Sequence, residues 1–205
     1  MFQNTLEQKT KRVFSALAKA GVAQDFYLAG GTALALQFGH RQSIDLDFFT
    51  AKNFSLNQLK NKLNKLGKFQ LRSEDEGTLH IILSGVLISF LRYPYPLLYK
   101  KNKLDNISLA DWKDIACMKI SAISDRGSKK DFVDLYFILQ KISLPSLLKL
   151  FNKKYKNIDY NKTHILKSLM FFNDADKEPT PKMLQKTSWP AIKKKIHDIV
   201  LAYTK

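Results

Sequence analysis

The chain has 205 residues, 45% of them hydrophobic and 25% charged, the proportions of a soluble globular protein with one substantial core or a core and a helical extension. Lys and Arg outnumber Asp and Glu 34 to 18, and the formal net charge of +16 points to a polyanionic partner, most simply nucleic acid, although an anionic membrane or an acidic protein would satisfy the same electrostatics. One cysteine, Cys117, excludes an internal disulfide framework; the dispersed His40, His80, His164 and His197 have no zinc-ligand spacing, and no signal peptide or membrane-length apolar run is present, so a cytoplasmic address with no membrane association is expected.

In chain order, Leu6, Val13, Phe14 and Leu17 recur at helical spacing up to a stop at Gly21. Phe26 to Ala29 reads as a short strand, Gly30-Gly31 as a tight turn, and Thr32 as the cap of an Ala/Leu-rich helix ending at Phe38. Ile44 to Phe49 alternates as a strand, with Ile44, Leu46 and Phe48 on one face and Asp45 and Asp47 on the other. Ser55 caps a helix carrying Leu56, Leu59, Leu63 and Leu66. Lys68 to Arg72 reads as a strand followed by an acidic turn, Ser73 to Gly77, and the runs Thr78 to Leu83 and Val86 to Arg92 flank Ser84-Gly85 as a hairpin. Tyr93-Pro94-Tyr95-Pro96 ends the sheet, because proline has no N–H for a ladder.

The remainder is expected to be helical. Ser108 is placed to cap a helix bearing Trp112, Ile115, Ala116, Ile120 and Ile123, with Lys119 and Arg126 on nearly one face. Ser128 begins another, and Ser128-x-x-Asp131 has the form of a capping box, so Asp131 serves either that cap or a site, while Asp134 has no capping role. Asp174 to Pro179 reads as a polar loop, and Trp189-Pro190 opens a final helix in a lysine- and aromatic-rich C-terminal stretch. The architecture expected is α+β: residues 1–105 as a mixed sheet of about five strands with helices, and residues 106–205 as a helical region completing the active-site cleft.

Asp45 and Asp47 are roughly 6.5 Å apart along a strand and point the same way, the arrangement that lets two carboxylates share one hard cation or hold a pair of them. Glycines at 30 and 31 admit close backbone approach, and the following helix N-terminus offers N–H groups to a phosphate. An isolated Asp-x-Asp is usually solvated surface; here it follows a glycine turn, a helix, Arg41 and Ser43.

Gly30-Gly31-Thr32-Ala33-Leu34-Ala35-Leu36 followed by His40-Arg41-Gln42-Ser43-Ile44-Asp45-Leu46-Asp47-Phe48-Phe49 resembles the first motif of the AbiEii/AbiGii-type nucleotidyltransferases, toxins of type IV toxin–antitoxin and phage-abortive systems with a polymerase-β-like core. Lys119 with Arg126, Lys129, Lys130, Asp131, Asp134 and Leu135 resembles a later motif of that family. The resemblance implies Mg²⁺, or Mn²⁺ in its place, on Asp45 and Asp47. It implies an NTP substrate met by Gly30, Gly31, Thr32, Arg41, Ser43, Arg126 and Lys130, and Lys119, Asp134 and Asp131 as further site residues. It further implies transfer of NMP to an acceptor hydroxyl, with RNA and a tRNA 3′ end favoured, and a neighbouring antitoxin as partner.

Such enzymes commonly place a third carboxylate on a later strand. The matching position here holds Ser89, which is no base at neutral pH. Either another carboxylate serves, or activation relies on metal alone, or catalysis has lapsed and the chain is a nucleotide- or RNA-binding module. Separately, NMP transfer to a protein hydroxyl by the same chemistry stands beside RNA modification, and the sequence does not distinguish these acceptors.

Overall fold

Val13, Phe14 and Leu17 lie on one side of the first helix, α1 (Gln8–Lys19), and all three are buried. Leu6 precedes that helix and instead bridges to Ser43. The computed structural model, which describes residues 1–205, then runs through β1 (Tyr27–Ala29), α2 (Gly30–Phe38), β2 (Leu46–Thr50), α3 (Leu56–Asn64), β3 (Phe69–Asp75), β4 (Thr78–Leu83), β5 (Val86–Arg92), β6 (Asn102–Leu104) and β7 (Ile107–Leu109). These elements form one compact unit, Met1–Asp111; the second, Trp112–Lys205, has helices as its regular elements.

The strands make one mixed sheet in the order β3-β4-β5-β2-β1-β7-β6, with β2–β5 and β1–β7 parallel and the other pairs antiparallel. Seven strands stand where about five were expected. The two extra ones form the β6–β7 hairpin, whose three-residue strands are too short to show a period, and Ser108, read as a helix cap, lies inside β7. The acidic stretch after Arg72 continues β3 as far as Asp75 instead of turning at Ser73. Ser84 and Gly85 do form the predicted hairpin turn, with φ of 50° and 75°, values that a two-residue turn of the favoured hand requires at both positions.

Alternation divides the sheet residues between two faces. One carries Leu28, Leu46, Phe48, Leu79, Ile81, Ile88 and Phe90, all fully buried. Phe48 stacks on Phe90, its register partner, with ring centroids 5.2 Å apart, and Phe26 meets Phe90 edge-on at 5.1 Å. The other face carries the polar row Asp47, Ser89 and His80. Because its strands are locked in register by this core, a one-residue slip would bury the carboxylate, so packing on one face fixes the chemistry available on the other.

The helical unit comprises α4 (Trp112–Asp125), α5 (Lys129–Ile138), α6 (Leu144–Lys154), α7 (Lys162–Ser168), α8 (Asn173–Lys177) and α9 (Trp189–Thr204). Residues 174–177, read as loop, are helical in α8, which is too short to carry a period. Its core gathers Ile115, Ile120, Phe132, Leu135, Leu147 and Ile196. Neither unit has a helix long and apolar enough to cross a membrane.

Candidate active site

Three features of the first unit converge on Asp47. β1 ends at Ala29, the register partner of Asp47, so the chain turns into α2 beside that carboxylate. Gly30, with φ of 65°, makes the turn, and a Cβ placed there would lie 2.8 Å from Asp47 Oδ2. Only glycine both tolerates this backbone and leaves the carboxylate its room. Across the next pairing, Asp47 is in register with Ser89 on β5.

Asp45 sits one residue before β2, so the strand starts at Leu46, and Ile44, expected on the buried face, is 47% exposed. The loop carrying Asp45 is tied down from behind. Ser43 N–H donates to the Thr5 carbonyl at 3.0 Å, and Thr10 Oγ1 donates to the Ile44 carbonyl at 3.0 Å. The Thr32 and Ser43 hydroxyls hydrogen-bond at 2.8 Å, and Thr32 also bonds the Asp45 carbonyl.

This alters the reading of Thr32. The helix begins at Gly30, its cap residue Ala29 makes no side-chain cap bond, and Thr32, 1% exposed, braces the Asp45 loop from inside the first turn. Ser43 is buried in the same brace, and Arg41, 3% exposed, donates from Nη1 to the Gln42 carbonyl at 2.9 Å. Gly30 and Gly31 remain at the N-terminus of α2, where free N–H groups and the helix dipole favour an anion.

The carboxylates suit a hard divalent cation. Asp45 and Asp47 are both half-buried and two residues apart, and oxygen donors of this kind bind Mg²⁺ through one or two carboxylates, with substrate phosphates and water completing the shell. No group of three or more His, Cys, Asp or Glu is gathered to hold a metal ion anywhere in the chain.

The second unit gathers the later motif. Lys119 Nζ on α4 lies 2.7 Å from Asp131 Oδ1 and 2.6 Å from Asp134 Oδ2 on α5, with both carboxylates fully buried. Arg126 Nε approaches Asp131 Oδ2 at 3.3 Å from an exposed position, and Ser128 Oγ donates to the same oxygen at 2.7 Å. Ser128 occupies the cap position of α5 without a side-chain cap bond, so Asp131 belongs to an ion cluster instead of a capping box. Burial pushes the Asp131 carboxyl up, but the charge and hydrogen bond of Lys119, with Ser128 and Arg126, outweigh that and hold it below the usual carboxylate range.

Lys119 is therefore not a bare cation: two aspartates already share its charge. Lys130, expected to face phosphate, is exposed on α5, while its neighbour Lys129 is buried and donates from its main-chain N–H to Glu178 Oε2 at 2.9 Å. A second buried pair, Lys154–Asp114 at 2.8 Å, was not singled out in the sequence. Beside it, burial pushes the Cys117 thiol up to about 12, which removes it as a nucleophile. His80 was also passed over as a site residue: its Nδ1 is 3.0 Å from Ser89 Oγ, and the signal was the hairpin turn, from which His80 and Ser89 are equidistant.

The model of the AbiEii nucleotidyltransferase toxin family, of type IV toxin–antitoxin systems, matches residues 12–84 and 78–201. The chain is 44% identical over 179 residues to an uncharacterized protein of Aquifex aeolicus strain VF5, covering 84% of this chain and 86% of that one. Among solved structures it resembles a Helicobacter pylori nucleotidyltransferase, with TM-score 0.60 and 15% identity over 96% of this chain and 95% of that one. It also resembles MenT4, a nucleotidyltransferase toxin of Mycobacterium tuberculosis H37Rv, with TM-score 0.56 and 12% identity over 97% and 86%. At these identities the two structures speak to the fold alone, which this chain shares with them over nearly its whole length.

Proposed function

Because the chain belongs to the AbiEii nucleotidyltransferase toxin family, we propose that it transfers a nucleoside monophosphate from an NTP to a hydroxyl of RNA, with a tRNA 3′ end as the favoured acceptor. The observation that carries this reading is the Asp45–Asp47 pair at the start of β2, with Gly30 leaving space against Asp47. The net charge of +16 supports a polyanionic acceptor over a neutral one.

In this reading Asp45 and Asp47 hold Mg²⁺, which supplies charge neutralisation to the triphosphate and to the departing pyrophosphate. The chain's own groups do the rest. Main-chain N–H groups at Gly31 and the start of α2 bind phosphate oxygens, where their fixed dipoles need no reorganisation as charge develops. Thr32 and Ser43 keep the Asp45 loop in place, so their effect on nucleotide is exerted through that loop. Lys119 with Asp134 and Asp131 is the second constellation of the proposal, and its removal is expected to stop transfer as removal of Asp47 does. Arg126 and Lys130, exposed at the ends of α4 and α5, add positive potential.

The test is transfer from each labelled NTP to total RNA, with Asp45→Ala and Asp47→Ala beside the wild type. Label that depends on both aspartates and is released by RNase supports the reading. RNase-resistant label on protein moves the acceptor to a protein hydroxyl, and equal labelling by all three proteins removes the assignment.

A further inference from the structure

Ser89 and His80 form a pair that the chemistry above leaves unused. Ser89 is the β5 register partner of Asp47, and His80 is the β4 register partner of Ser89. Register partners point to the same face of a sheet, and adjacent strands are about 4.8 Å apart, so the three side chains form one row leading away from the metal-binding carboxylate. Ser89 Oγ and His80 Nδ1 are 3.0 Å apart.

In the nucleotidyltransfer reading the attacking hydroxyl loses its proton beside Asp47, and the row places Ser89 next to that carboxylate. A serine hydroxyl cannot hold that proton, but a neutral imidazole can. With the ring proton on Nε2, Nδ1 accepts from Ser89 Oγ, and Ser89 Oγ keeps its lone pairs for an incoming O–H.

We propose that Ser89 and His80 together take up the proton of the attacking hydroxyl, Ser89 as the group that meets the acceptor hydroxyl and His80 as the proton acceptor that acts through it. The proposal rests on the nucleotidyltransfer reading of Asp45 and Asp47. In the step, the acceptor O–H bond breaks, its proton passes to Ser89 Oγ, and the Ser89 proton passes to His80 Nδ1. The acceptor oxygen forms a bond to the α-phosphorus, the bond from that phosphorus to the bridging oxygen breaks, and pyrophosphate leaves with the electron pair. The imidazolium then returns its proton to solvent. Within this unit the charged groups on the same face of the sheet are Asp47, beyond Ser89, Asp75 on β3, with Arg72 in the bulge beside Ser73, the β3 partner of His80, and Lys103 on β6, in register with Asp47's face through Ser108, Tyr27 and Phe49.

The experiment measures kcat and KM for the NTP by pyrophosphate release, with total RNA and Mg²⁺, across the near-neutral range. His80→Gln is expected to lower kcat about 10²-fold, the lower scale of general-base catalysis, with KM for the NTP unchanged and the wild type's loss of activity on acidification absent. Ser89→Ala should match it, and the double variant should be no worse than either single one, because the two side chains act as one unit. Ser89→Asp in the His80→Gln background should restore at least about ten-fold, since a carboxylate at that position needs no relay. Wild-type kcat in both single variants overturns the relay. So does a loss in His80→Gln that keeps the acid limb and is not rescued by Ser89→Asp, because the contact then only holds the strands together. A wild type that transfers nothing overturns the relay and the nucleotidyltransfer reading together, whereas an active wild type with active His80→Gln overturns the relay alone.

Discussion

At β2 two half-buried aspartates stand two residues apart beside a glycine that keeps its distance, whereas in the helical unit two fully buried aspartates close on one lysine at 2.7 and 2.6 Å. The residue types are alike, and the difference is where the neutralising charge comes from. A buried carboxylate must find a cation within the protein, because desolvation is too costly otherwise. A half-buried pair at the start of a central strand keeps some access to water and can wait for a cation that arrives with the substrate. On the proposed reading the first arrangement is a binding site held at some expense to stability, whereas the second is a cluster that the fold itself completes.

The sharpest way to break this comparison is to neutralise one member of each. Asp47→Asn removes a donor to the cation and one of two neighbouring negative charges. Transfer should fall by at least about 10²–10³-fold, the scale on which a lost electrostatic contact to developing charge is felt. Thermal stability should hold or rise slightly, because relieving strain at a site commonly stabilises. A clear drop in Tm with intact transfer would show that Asp47 is a structural residue and that the contrast is false.

Lys119→Met should do the reverse in stability. It leaves two buried carboxylates without their shared ammonium, and losing one partner of a buried ion pair costs about 3–5 kcal/mol, readable in urea unfolding. Lys154→Met, which takes the ammonium away from the fully buried Asp114, is the matching control. Both should destabilise on this scale, but only Lys119→Met should also abolish transfer per folded molecule. Equal retention of transfer in the two variants would assign the Lys119 cluster to the scaffold alone.

Gly30→Ala tests the geometry that joins backbone to chemistry. The added methyl meets Asp47 Oδ2 and occupies a φ of 65° that alanine adopts only under strain. The expected cost is about 1–2 kcal/mol in stability, with a larger proportional loss of transfer because the carboxylate is displaced.

How far the two regions could be read from sequence follows from the reach of their contacts. The Asp45–Asp47 pair is local, and the Ser84-Gly85 turn fixes which residues of β4 and β5 face one another, so the His80–Ser89 contact was legible in principle once the hairpin was accepted. The later motif was legible as residue types and order, but the role of Asp131 was not. Ser128-x-x-Asp131 has the local form of a cap, and only Lys119, twelve residues away on another helix, turns that carboxylate into an ion-pair partner. Thr32 was misread for a related reason: a threonine after Gly-Gly favours capping, and the loop it braces comes from residues 43–45. The β6–β7 hairpin fails differently, since strands of three residues carry no period to detect.

The smallest expected effect concerns acid, and it follows from the sign of one shift. The Asp131 carboxyl is held below its ordinary value in the folded chain, because the charge and hydrogen bonds around it outweigh its burial. An unfolded aspartate titrates near about 3.9, so below that pH the unfolded chain binds a proton that the folded one resists. The stabilisation from this group is therefore complete above about pH 4 and lost as pH falls through the folded value, with no contribution to pH dependence near neutrality. Urea unfolding midpoints followed from neutral pH downward should stay level for this group until about pH 4 and then decline. Asp131→Asn should start lower, because Lys119 and Ser128 lose a charged partner, yet decline less steeply in acid. An unchanged acid slope in that variant would mean that Asp131 is no better stabilised as an anion in the fold than in the open chain, and the contrast between a self-completed cluster and a waiting one would lose its second half.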